Sequence, residues 1–180
     1  MNRLSLTILA AVLSFTGSGC ATRAPTPPPG LAVDWPRYLG SWHEVARFDH
    51  WFERGLVATT ATYGTLPDGR ISVLNAGRKG TLDGKPSTAE AVARITGPAT
   101  LAVTFFWPFS GDYRVLALAE DYRWAVVGSS TMSYLWFLHR SPQPPAADWT
   151  AMETVAKTAG YDLTGLIRVE QPPAVSSPTR

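Results

Sequence analysis

The chain has 180 residues, 45% of them hydrophobic, enough for one domain with a buried core. Its formal charge of +2 drops to +1 without Arg3, the only charged side chain before residue 20, so net charge makes no case for nucleic acid or an anionic bilayer surface as partner. Fifteen glycines and fifteen prolines, scattered as punctuation, argue for many short strands over long helices, and seven Trp, six Tyr and seven Phe point to an aromatic-rich core or cavity.

Residues 1–19 read as a secretory signal: Arg3, an apolar run from Leu4 to Phe15, then the small residues Gly17-Ser18-Gly19. The run is too short and wrongly flanked for a spanning helix. Cys20, the single cysteine, has no partner for a disulfide or a metal site. Its position resembles that of the acylated cysteine of bacterial lipoproteins, and Ala21 after it favours outer-membrane sorting by the same resemblance. Residues 20–32 are therefore expected to be a lipidated cysteine and a tether. The run Ala24-Pro25-Thr26-Pro27-Pro28-Pro29-Gly30 leans to polyproline II and carries no chemistry.

A domain is expected over residues 33–172, with 173–180 a loose tail. Trp35–Leu39 is one tight turn at its start. Ser41 to about Phe52 alternates Trp42, Glu44, Ala46 and Phe48 against His43, Val45, Arg47 and Asp49, the period of a strand. Further strands are predicted at 56–65, 71–78, 88–95, 101–106, 113–119, 123–128 and 134–140. Turns at Pro67-Asp68-Gly69, Asp83-Gly84, Thr96-Gly97-Pro98 and Ser129-Ser130-Thr131 separate them, with an aromatic loop at Trp107–Gly111. The period then changes. Trp149, Met152, Val155, Ala156 and Ala159 share one face of a helix of about 14 residues that starts at Pro144-Pro145 and stops at Gly160. Leu166–Val169 adds a short edge strand. Eight meandering strands and one helix predict an all-β fold, an eight-stranded antiparallel up-and-down barrel with a C-terminal α-helix on its outside.

The chain resembles the lipocalin family, in particular its bacterial outer-membrane lipoproteins of the Blc type. Gly40-Ser41-Trp42 matches the Gly-x-Trp motif of the first strand, Arg140 the arginine that ends the eighth, and Gly111-Asp112-Tyr113 part of the Thr-Asp-Tyr motif. The runs Ala46–Gly55, Ala61-Thr62-Tyr63 and Phe105–Phe109 carry the likeness to the bacterial branch. The resemblance implies that Trp42 and Arg140 meet at the barrel floor as structural residues, with Gly40 allowing close approach.

Parity from Trp42 and Arg140, with the family's register, assigns the interior. Glu44, Ala46 and Phe48 face in on the first strand; Ala61 and Tyr63 on the second; Val73 and Asn75 on the third. Leu101, Val103 and Phe105 follow on the fifth, Tyr113, Val115 and Ala117 on the sixth, and Tyr134, Trp136 and Leu138 on the eighth. This lining suits an elongated apolar ligand with one polar end. The resemblance implies a fatty acid or lysophospholipid, held without a cofactor or metal for storage or transport, and extends to a homodimer as a further partner. The three histidines sit beside no plausible nucleophile, so no catalytic residue is assigned. A lipid-modifying enzyme using the same cavity and an envelope assembly factor using the barrel exterior are the competing readings.

Overall fold

A computed structural model describes residues 24–173 of the chain. The signal segment, Cys20 and all but the first residue of the expected tail lie outside the described residues. A one-turn helix, α1 (Trp35–Tyr38), precedes eight strands: β1 (Gly40–Arg47), β2 (Leu56–Thr65), β3 (Ile71–Lys79), β4 (Pro86–Gly97), β5 (Thr100–Phe106), β6 (Phe109–Leu118), β7 (Trp124–Gly128) and β8 (Leu135–His139). Each pairs antiparallel with the next, and β1 pairs with both β8 and β2, which closes an eight-stranded antiparallel barrel. Closure leaves no free edge among these strands. A longer helix, α2 (Ala146–Thr158), lies on the outside, followed by a two-residue strand, β9 (Ile167–Arg168), paired to the end of β1.

Two cores follow from the two faces of the sheet. Inside, Trp42, Tyr38, Leu101, Val115, Val127 and Leu138 pack together. Outside, Phe137, Leu135, Val126 and Leu116 meet Met152 and Ala156 of α2. The buried carboxylate of Asp148 ties α2 down, accepting from Arg123 at 2.9 Å and lying 3.1 Å from His139 Nε2.

The strands depart from strict alternation in places that matter. On β1, Glu44 pairs with Leu138 and Ala46 with the adjacent Phe137, so Val45 is an extra residue, a β-bulge. Val45 and Ala46 therefore both face the outer core, and every residue after them changes sides. The parity reading of Ala46 and Phe48 is corrected: Phe48 points outward and packs edge-on against Tyr161 at 5.9 Å, while Arg47 enters the barrel opposite Trp136. A second shift between Val115 and Ala117 does the same on β6, where Ala117 pairs with outward Val126. The first strand also stops at Arg47 rather than Phe52, because the chain turns over at Trp51–Gly55. At the other aromatic run, Phe106 pairs with Phe109, so β6 begins four residues earlier than Tyr113 and the expected loop shrinks to a tight hairpin.

A third irregularity opens the seam between β1 and β2. Their pairing covers only Gly40–His43 and Thr60–Tyr63, and the β2 backbone bends at Ala58, which has φ +50°. The C-terminal segment fills the gap. Val169 N–H donates to Val45 C=O at 2.9 Å, Ala58 N–H donates to Glu170 C=O at 2.7 Å, and the Gln171 amide donates to Glu44 C=O and Thr59 C=O, each at 2.9 Å. The expected edge strand is thus a wedge between two strands.

Candidate ligand-binding cavity

The cavity stands on a floor assembled from the two ends of the barrel sequence. Trp42 is fully buried, and its indole N–H donates to Tyr38 C=O at 2.8 Å. The Arg140 guanidinium lies over the indole, 3.7 Å from the ring centroid. Its terminal nitrogens donate to the carbonyls of Ser41 at 2.8 Å, Arg37 at 3.1 Å, Tyr38 at 3.2 Å and Leu39 at 2.9 Å. Gly40 makes this approach possible: its φ is +89°, and a Cβ there would sit 3.4 Å from Arg140 Nη1. Among the described residues no carboxylate joins the group, so the charge is held there by dipoles and a π face.

Above the floor lie three tyrosines. Tyr113 OH is 2.6 Å from Tyr38 OH and 3.0 Å from Tyr63 OH. Burial pushes all three phenols above their ordinary range, so they stand as neutral hydroxyls.

The next level is charged, and it comes from the bulge. Arg47, 2% exposed, donates to Glu44 Oε1 at 3.1 Å and to the carbonyls of Glu53 at 2.7 Å and Leu56 at 3.1 Å. Its Nε lies 3.9 Å from Glu53 Oε2 and has no hydrogen-bond partner. Thr59 Oγ1 donates to Glu44 Oε1 at 3.1 Å, and the Trp136 indole N–H donates to Glu53 Oε2 at 3.1 Å. Burial, then the neighbouring Glu53, pushes the Glu44 carboxyl up to about 8, against the pull of Arg47. Burial raises Glu53 too. Two carboxyls facing one guanidinium in a low dielectric resist ionising together, and Glu44 keeps its proton at neutral pH. Next to it His50 stacks on Tyr134 at 4.7 Å and Phe52 at 5.4 Å; burial and Arg47 lower its pKa to about 4, so it is neutral.

These groups border two connected spaces. An inner chamber of about 290 Å³ is lined by Glu44, Glu53, Ala61, Tyr63, Val73, Asn75, Val103, Phe105, Tyr113, Tyr134, Trp136 and Leu138. It opens into a mouth of about 870 Å³ bordered by Trp51, Phe52, Phe105, Phe106 and Phe109. Together they reach the upper end of the size range of small-molecule sites, ~300–1,000 Å³, and somewhat exceed it. The structure thus brings together most of the residues assigned from sequence. Leu101 and Val115 do not reach the chamber: both are buried in the packed core around the floor, near the lower ends of β5 and β6. Phe48 is on the outer face, as described above. Arg47, Glu53, His50 and Thr59 were missed, the first by the bulge and the next two because they sit in or beside a turn with no periodicity. No cluster of three or more His, Cys, Asp or Glu suited to a metal occurs among the described residues. Chemically the arrangement offers an apolar shaft and a titratable polar collar, in which the one hydroxyl on Glu44, that of Thr59, is buried in the wall beneath the C-terminal segment.

Comparison with known proteins agrees with this geometry. Residues 33–171 match the model of the lipocalin-like domain family. The outer membrane lipoprotein Blc of Escherichia coli K12 is 42% identical over 177 residues, covering 94% of this chain and 98% of the relative. The temperature-induced lipocalin-1 of Arabidopsis thaliana is 35% identical over 154 residues, covering 79% and 80%. Among solved structures, insecticyanin from the tobacco hornworm Manduca sexta superposes with a TM-score of 0.66 over 83% of this chain and 85% of its own, at 18% identity, a likeness of fold.

Proposed function

The chain belongs to the lipocalin family, and from that premise we propose that it is an outer-membrane lipoprotein that binds a small hydrophobic ligand without chemistry, a fatty acid or lysophospholipid carried on its acyl chain. One observation carries the reading: an apolar shaft closed by the Trp42–Arg140 floor and open at the other end. The acyl tail descends past Phe105, Val103 and Leu138 toward the tyrosine hydroxyls. The head group stays in the mouth, because the only buried cation near the chamber, Arg47, is already occupied by two carboxyls among the described residues. Each buried methylene contributes about 0.8 kcal/mol before the cost of ordering the chain.

Solvent extraction of purified protein, followed by mass spectrometry, is expected to release a single-chain lipid. A fluorescent fatty acid is expected to bind in the shaft and be displaced by that lipid. Protein that yields no lipid and binds no fluorescent fatty acid would end this proposal.

A further inference from the structure

The barrel's two ends have opposite surfaces. At the mouth, the β5–β6 hairpin exposes Phe106 by 78%, Trp107 by 88% and Phe109 by 79%, and Trp51 across the opening is 78% exposed. At the floor, the turns display paired charges, Asp68 with Arg70 and Asp121 with Arg123, and none of the large exposed apolar side chains of the described residues lies in those turns. Trp and Phe standing free on a polar surface mark a docking face, and their amphipathic rings suit the headgroup boundary of a bilayer.

Charge and the path of the chain select the partner. Beside the aromatic rim the β3–β4 hairpin exposes Arg78, Lys79 and Lys85 against Asp83, while Arg54 is paired with Asp49, Glu53 is turned into the cavity and Glu90 lines the mouth further down β4. The near-zero net charge conceals this excess of two positive charges on the β3–β4 hairpin, so that part of the rim, unlike the whole chain, favours an anionic surface. Val33 is bonded to Pro98 C=O at the floor, yet further back toward the N-terminus the buried Pro25 accepts from Arg114 Nη1 at 3.0 Å. Arg114 stands four residues above the floor end of β6, roughly 13 Å. Arg114 pairs with Thr100 at the floor end of β5, so Pro25 lies on the outer wall above the end of β6 and still below the mouth. From Pro25 to Cys20 is five residues, a reach of at most about 18 Å, and β6 needs about 17 Å from Arg114 to its rim end at Phe109.

The geometry points to a protein that sits mouth-down on an anionic phospholipid bilayer, with Trp51, Phe106, Trp107 and Phe109 in the interface and the rim lysines and arginines among the phosphates. The placement of the anchor in this arrangement rests on the proposed lipidation of Cys20; the rim surface does not. Ligand then passes between membrane and shaft without crossing water.

An environment-sensitive fluorophore at the rim through Trp107→Cys, or at the floor through Asp68→Cys, tests this. Both labels are placed in the full chain carrying Cys20→Ser and mixed with vesicles of phosphatidylglycerol and phosphatidylethanolamine. The rim label is expected to shift to the blue and be shielded from aqueous iodide, the floor label to remain open, and high salt to weaken binding. In otherwise unaltered protein, Trp107→Ser is expected to bind vesicles about tenfold more weakly while keeping its affinity for dispersed fatty acid, since Trp107 lines neither chamber. A rim label that stays open to iodide, or a floor label that becomes shielded instead, overturns the proposal. So does a rim label shielded without vesicles in a concentration-dependent way, which would make the rim a contact between two copies of the chain. Mass spectrometry of the native chain without acyl groups on Cys20 would remove the anchor and leave the rim result to stand on its own.

Discussion

The barrel holds one arginine at its floor and one in its collar, and they are kept in opposite ways. Arg140 at the floor faces an indole and five carbonyls, with no acid beside it among the described residues. Arg47 near the mouth is clasped by two carboxyls. Carbonyl dipoles and a π face do not titrate, so the floor has the same electrostatics at every physiological pH. Carboxyls do, so the polar collar above changes charge with conditions. A fixed base and a responsive collar are what a cup needs if its contents are to be exchanged without opening the bottom.

The contrast breaks most visibly by removing the upper arginine. Arg47→Ala leaves two buried carboxyls without a countercharge and is expected to cost about 3–5 kcal/mol in urea unfolding, more at pH 9 than at pH 6. Arg140→Ala is expected to cost about 3 kcal/mol through lost charged hydrogen bonds and the cation–π contact. Its cost should be the same at pH 6 and pH 9, and ligand preference should not change. A pH-dependent loss there would erase the distinction between the two levels.

Glu44→Gln sharpens it. A carboxyl whose folded pKa is raised to about 8 binds its proton more tightly in the folded chain than in the unfolded one, so it withdraws stability as pH rises from the ordinary carboxylate range to about 8. The glutamine variant lacks that slope and is expected to exceed wild type at pH 9 by about 1 kcal/mol or more in thermal or urea unfolding. In the same pH window a fatty-acid anion is expected to bind wild type about threefold to tenfold more weakly at pH 9 than at pH 6.5, with a flat profile for the variant, by fluorescence displacement. The smallest effect is reserved for the neutral hydroxyls between the levels. Tyr113→Phe removes the partner of both Tyr38 and Tyr63 and is expected to lower stability by about 1 kcal/mol, equally at pH 6 and pH 9.

The floor was legible in the sequence because its parts are fixed by motif and parity: Gly40, Trp42 and Arg140 stand at strand ends, before any irregularity intervenes. The walls were legible wherever alternation persisted, as at Ala61, Tyr63, Val73 and Val103. The collar was not, because it depends on one inserted residue. In Glu44-Val45-Ala46-Arg47, two adjacent apolar residues flanked by charges violate a period of two, and that violation was the available signal for a bulge. Reading past it turned Phe48 inward and Arg47 outward. Glu53 and His50 come from a turn, where no period exists, and their placement is decided by Arg47 and the aromatic stack they join. Leu101 and Val115 have the predicted parity but the wrong height, a coordinate that alternation does not supply.

The wedge at the β1–β2 seam also sets an order of assembly. Val169, Glu170 and Gln171 bond across to Val45, Ala58, Glu44 and Thr59, residues more than a hundred positions earlier. A chain delivered N-terminus first holds its strands with that seam unfilled, and the carbonyls of Glu44 and Thr59 bare, until almost the last residues of the domain arrive. Contacts of such sequence separation form late and slowly. The barrel is latched by its final segment, and the collar's Glu44, whose carbonyl accepts from Gln171, lies directly beneath the latch.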